Sequence, residues 1–197
     1  MPSKTFFNLD IRKQKKLIHC SLLEFSKNSY SDVSINRIIK NAQISRGSFY
    51  MYFTDKEDLF MYIINSYNEK LSKIVRNNLS LYKGNLRLGF VSIYDDIMSV
   101  VGEFKYKGFF KNAFMFFDLN KNHYTNPVHT LYNEVKDIVD FSNIKYEDKE
   151  FLFAVFMQNL ISNLAIALRE ENREKIREYY LKKIDILCYG IYKKEDK

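Results

Sequence analysis

Ser45–Phe60, SRGSFYMYFTDKEDLF, is the stretch whose reading decides the fold. It reads as a short helix, a break at Thr54-Asp55 and the start of a second helix. Asp55 is a good N-cap, and Glu57 and Asp58 put negative charge in the first turn, where the helix dipole favours it. In the short helix Phe49 and Phe53 stand four apart, one above the other, while Arg46, Ser48, Tyr50 and Tyr52 are polar at their tips. Just upstream, residues 34–42, SINRIIKNA, carry a cap at Ser34 and an apolar stripe of Ile35, Ile38 and Ile39. Only Gln43 and Ile44 separate the two. Two short helices with so short a joint are a helix-turn-helix, and the second enters the major groove of DNA.

Charge placement agrees. The net charge is +7 over 197 residues, and residues 1–54 hold nine Lys/Arg against three acids, so nearly all the excess lies at the helix-turn-helix end. Phosphate contacts would fall there. Arg12, Lys13, Lys15 and Lys16 crowd the first turns of a helix over about 10–27, where cations oppose the helix dipole. Helix propensity does not explain them, whereas an adjacent phosphate backbone would.

The rest of the chain reads as helix. Glycine and proline are scarce, at 6 and 2, and no alternating strand pattern of useful length appears. After the helices at 10–27, 34–42 and 46–53 come segments at about 55–82, 86–103, 106–120, 126–139, 146–171 and 174–193. The expectation is all-α, with about nine helices. Met1–Asp10 is expected to be a loose arm, docking at most through Phe6 and Phe7. Phe151–Leu168 is eighteen residues without a charge, but Gln158, Asn159, Ser162 and Asn163 share one side of it, which favours burial in protein over lipid. Those amides could meet a ligand, a symmetry mate or other core groups.

Several classes find no support. There is no glycine-rich phosphate loop, nucleophile elbow or paired His/carboxylate motif, so neither catalysis nor a cofactor is expected. Cys20 and Cys188 read as small buried hydrophobes in a reducing cytosol, metal-ligand spacing is absent, and the N-terminus has no signal-peptide core. A cytoplasmic protein without a membrane span is expected.

The run from Ser45 to Phe60 resembles the recognition-helix signature of the tetracycline-repressor (TetR/AcrR-type) family, roughly Ser-x-Gly-x-hydrophobic-Tyr-x-(His/Tyr)-Phe-x-x-Lys-Glu-x-Leu. Leu17-Ile18 through Phe25, followed by Ser29-Tyr30, is similar to that family's first helix and turn, so the strong match covers about residues 13–70. Three positions depart from the pattern. Gln43 replaces the usual glycine of the helix-turn-helix joint, where a left-handed backbone would cost Gln roughly 1–2 kcal/mol. Ser29 replaces a second glycine. Leu23 and Glu24 interchange the usual polar and apolar positions of the first helix.

The resemblance implies an N-terminal DNA-binding domain over 1–54, continuing into about 55–62, and an effector-binding and dimerisation domain over 55–197. It implies contacts to double-stranded DNA from Lys13, Ser34, Ser45, Arg46, Gly47, Ser48, Tyr50, Tyr52 and Lys56, with a palindromic operator read by a homodimer. It also implies a pocket for a small effector in the second half. The aromatic run near residue 110 could line that pocket or fill the core; the expected lining is Tyr94, Met98, Phe110, Phe114, Phe117, Phe156, Met157 and Asn159. The expected dimer seam, on the last two helices, is Leu160, Ile184, Leu187, Cys188 and Ile191. The function so implied is a repressor released from its operator by an apolar or aromatic effector. The alternative is a helix-turn-helix protein whose second half serves only dimerisation or protein docking.

Overall fold

The computed structural model describes residues 1–102, 107–119, 127–170 and 172–191, leaving out the side chains of residues 100–102, 114, 115, 117–119, 127 and 191. It is all-helical, with ten helices among the described residues: α1 Lys4–Phe7, α2 Ile11–Lys27, α3 Ile35–Ala42, α4 Arg46–Tyr52, α5 Lys56–Leu81, α6 Leu86–Gly102, α7 Lys107–Leu119, α8 Pro127–Val135, α9 Lys149–Ala167 and α10 Arg173–Ile191. The capping residues account for where several of these begin. The side chains of Asp10, Ser34, Ser45 and Asp148 each accept a backbone N–H from the first turn of the helix that follows. Asn126, the expected cap of α8, lies outside the described residues.

The chain divides into two compact units, Met1–Glu69 with Lys105–Asn122, and Lys70–Phe104 with His123–Lys197. In the first, Leu17, Phe25, Ile38, Phe49, Phe53, Leu59, Phe60 and Phe109 pack into one core. α7 joins that core through backbone contact. At Gly108 an added Cβ would lie 2.1 Å from the Ser26 carbonyl oxygen, so only a glycine lets α7 lie this close to the end of α2. One turn on, the Asn112 amide donates to the Phe25 carbonyl at 2.9 Å and to that of Asn28 at 2.7 Å. These carbonyls at the end of α2 would otherwise lack partners.

The second unit is built on α6, α8, α9 and α10 with the last turns of α5. Its core takes in Leu79, Phe90, Ile93, Tyr94, Phe153, Phe156, Met157, Leu160, Tyr180 and Ile184. α9 alone among the described residues is long and apolar enough to cross a membrane. It is a core helix: Leu152, Phe153, Phe156, Met157, Leu160, Asn163, Leu164 and Ala167 are buried. Of its polar stripe Asn163 is buried, and its amide donates to the Asn159 carbonyl and side chain at 2.7 and 2.9 Å.

Candidate nucleic-acid interface

α4 is seven residues long, too short to persist as an isolated helix in water. The chain holds it at both ends. At its start the Ser45 hydroxyl accepts the Ser48 N–H at 3.0 Å. At its end the carbonyls of Met51 and Tyr52 accept from the hydroxyl and the N–H of Ser3. Ser3 precedes α1, which is fixed in turn by fully buried Phe6, packed against Tyr52, Phe53 and Tyr62 at 5.0–6.2 Å. The expected loose arm is therefore a docked element that clamps the reading helix. Phe6 was visible in the sequence as an anchor; nothing there marked Ser3.

With both ends held, α4 buries Phe49 and exposes Arg46, Gly47, Tyr50 and Met51. Arg46 lies 5.7 Å over the Tyr50 ring, with a nitrogen 3.5 Å from the Asn36 side-chain oxygen. Tyr52 is half-buried against the arm. The α3–α4 joint has the conformation its sequence made costly: Gln43 is left-handed, at φ 59° and ψ 45°. Its side-chain oxygen accepts from the Lys16 ammonium, which draws a cation of α2 to the joint. Lys13 is exposed on α2.

Ser34, Asn36, Arg46, Tyr50 and Lys56 line a groove of about 230 Å³, floored by Val33 and Ile35. Lys56 does more there than present charge. Its ammonium donates to the carbonyls of Tyr30, Ser31 and Val33 at 2.7, 3.2 and 3.4 Å, and sits 4.7 Å from the centre of the Tyr30 ring. It thus fixes the loop entering α3 as well as giving the groove positive charge. Ser34 is also engaged. Its N–H donates to the Glu24 carboxylate at 3.1 Å, and its hydroxyl accepts the Arg37 N–H at 3.4 Å. The Ser34 N–H is therefore occupied in this structure.

Glu24, out of pattern in the sequence, finds its reason here. One buried carboxylate oxygen accepts both that N–H and the Arg37 guanidinium, at 2.7 and 2.6 Å, and the guanidinium also donates to the Asp32 carbonyl at 2.6 Å. The hydrogen bond to Glu24 pushes the Arg37 pKa up. A carboxylate in an apolar register is stable when paired and hydrogen-bonded, and here it ties α2 to the start of α3.

The other expected residues are dispersed. Tyr94, Phe156 and Met157 are buried in the second unit, and Met98 and Asn159 are partly buried there. Phe110 packs in the first unit, 4.9 Å from Tyr67. The side chains of Phe114 and Phe117 lie outside the described residues. The proposed lining is thus divided between two cores, because α7 goes to α2 by way of Gly108 and Asn112. The expected dimer set lies on the second unit's own core. Leu160, Ile184 and Cys188 are buried in their own unit and Leu187 packs against the same core, so that stripe faces inward; the side chain of Ile191 is outside the described residues.

Comparison with known proteins bears on the first unit most directly. A family model described as "Bacterial regulatory proteins, tetR family" matches residues 18–63, the helix-turn-helix with its flanking helices. Residues 18–63 are thus a TetR-type DNA-binding segment. The chain is similar to the uncharacterized HTH-type transcriptional regulator YuxN of Bacillus subtilis, 38% identical over 58 residues, or 29% of this chain and 20% of that protein. It is also similar to the transcriptional regulator AcuR of Cereibacter sphaeroides, 31% identical over 61 residues, or 31% of this chain and 28% of that one. The chain therefore matches about a fifth to a third of these relatives' lengths. Over nearly its whole length it shares the fold of a TetR-family regulator from Chloroflexus aurantiacus (TM-score 0.62, 24% identity, 98% of this chain and 100% of that one). A TetR-family protein from Mesorhizobium loti is similar in the same way (TM-score 0.63, 14% identity, 92% and 98%). Beyond the matched segment these solved structures share the all-helical fold.

Proposed function

We propose that the chain is a TetR-family regulator, a cytoplasmic homodimer that binds a palindromic operator through α4 and represses transcription until a small apolar or aromatic effector releases it. The observation that carries the DNA reading is the α4 face. Arg46, Gly47, Tyr50 and Met51 stand exposed on a helix held at both ends, beside a groove carrying Ser34, Asn36 and Lys56. Arg46 is placed to reach a base edge or a phosphate, and the groove to take the backbone beside it. One short helix spans only a few base pairs, so two copies on half-sites about one helical turn apart are needed for specific binding.

The effector reading rests on a second observation. Among the described residues, the Tyr94 hydroxyl and the Asn159 side-chain nitrogen are the buried side-chain polar atoms without a hydrogen-bond partner. Both belong to the lining expected from the sequence. Such atoms are costly to leave unpaired, and a guest able to accept hydrogen bonds would satisfy them. The alternative, a second half without an effector, is favoured by ring packing in the same core. Tyr94 stacks on Tyr180 at 4.4 Å, and Phe90 meets Phe156 at 5.0 Å.

The test is selection from a random duplex pool, followed by affinity against salt on the recovered site. A palindrome is expected, with a log–log slope near −5 if about six phosphates are neutralised. Recovery of no site, or a slope near zero, overturns the reading. Small apolar compounds added to the complex then separate an effector-released repressor from the alternative.

A further inference from the structure

The α4 face holds one residue that phosphate binding does not use. Met51 is 60% exposed, and its backbone carbonyl is held by Ser3. A lone exposed methionine elsewhere on the surface would need no explanation. This one occupies one of the four exposed positions of a helix whose other members are Arg46, Gly47 and Tyr50. Gly47 lies one turn before it, on the same side of the helix. A Cβ added at Gly47 would meet only the Ser45 hydroxyl, at 3.9 Å, so nothing inside the protein requires glycine there. A helical side chain covers the turn N-terminal to its own Cα, which for Met51 is the turn of the bare Gly47. The result is an apolar projection beside a position with no side chain, suited to close approach.

A thioether offers a base edge neither a strong donor nor a strong acceptor. Of the groups displayed in the major groove, only the thymine C5-methyl is apolar. We propose that Met51, set over Gly47, reads the methyl group of one thymine in each operator half-site. The proposal rests on the DNA-binding reading above and adds the chemistry of one base to it.

The test replaces each thymine of the selected site by deoxyuridine, one position at a time, removing the methyl and leaving the pairing edge intact. At one position per half-site the wild-type protein is expected to lose about fourfold in affinity, the worth of one buried methyl. Met51→Ala should bind the thymine and deoxyuridine duplexes equally at that position and keep the remaining pattern. Met51→Leu, still apolar, should keep the discrimination. Circular dichroism verifies that each variant is folded, as substitution of an exposed side chain predicts. If no deoxyuridine matters, or if Met51→Ala discriminates as well as wild type, the proposal is overturned while the DNA-binding reading stands. If no site is recovered from the pool at all, both fall, and the earlier reading falls first.

Discussion

Tyr94 buries a hydroxyl that donates to nothing, and burial pushes its pKa up, so it stays a neutral donor. Tyr180, stacked against it, donates to the Phe90 carbonyl at 2.9 Å. The two phenols make opposite predictions. Tyr180→Phe removes a made bond and leaves a carbonyl unpaired, so it should lower stability by about 1 kcal/mol. Tyr94→Phe removes an unsatisfied group and should leave stability unchanged or raise it by up to about 1 kcal/mol. Denaturant midpoints for both variants check this. If Tyr94→Phe also weakens release of DNA by an effector, its hydroxyl serves the guest. A loss of stability from Tyr94→Phe in the ligand-free protein would show that the hydroxyl is paired and remove its support for a pocket. Sequence reading did well at this scale where a residue answers a local rule. The caps at Ser34 and Asp55 and the left-handed Gln43 were legible. Glu24 and Lys56 were not, because their roles are set by partners ten to twenty-six residues away.

Elements were legible to within a residue or two where a cap fixed the start and apolar spacing fixed the face, as for α2, α3 and α4. α1 went unread as a helix because four residues are too few for a period to show. α7 was legible as a helix but not in its destination. Phenylalanine in nearly every turn gives no polar face, so periodicity cannot say which core receives it. Gly108 decides it, through the 2.1 Å approach of a Cβ to the Ser26 oxygen. Gly108→Ala should therefore force α7 away from the end of α2 and destabilise the first unit by about 1–3 kcal/mol, the cost of overpacking. Asn112→Ala should act in the same direction, leaving the Phe25 and Asn28 carbonyls without that donor. Thermal melts and operator affinity measured together are the check, with both expected to fall. Unchanged melting of Gly108→Ala would mean that α7 contributes nothing to the reading head.

For the whole molecule, the helix at issue is α10. Its apolar stripe suggested a seam between copies, and the structure turns that stripe inward: Ile176, Tyr180, Ile184 and Cys188 repeat every four residues and are all buried in the second unit. A unit with few helices satisfies its own core first, and a sequence pattern cannot distinguish that core from a partner. What α10 leaves outside is Tyr179, 60% exposed, Ile186, 72%, and Tyr189, 90%. At Gly190 an added Cβ would meet nothing within 4 Å. Residues 179, 186 and 190 fall along one side at spacings of seven and four, a period suited to a second helix. If the homodimer forms across this face, Ile186→Glu places one carboxylate in each copy's seam without touching either core. The expected product is a folded monomer in sedimentation, with unchanged helical content, that has lost tight binding to the palindrome. Ile184→Glu, two residues away, should instead unfold the second unit, because a lone carboxylate in an apolar core costs several kcal/mol. The pair separates the two faces of one helix. A dimeric Ile186→Glu places the seam elsewhere, and a folded, monomeric Ile184→Glu would return it to the inward stripe.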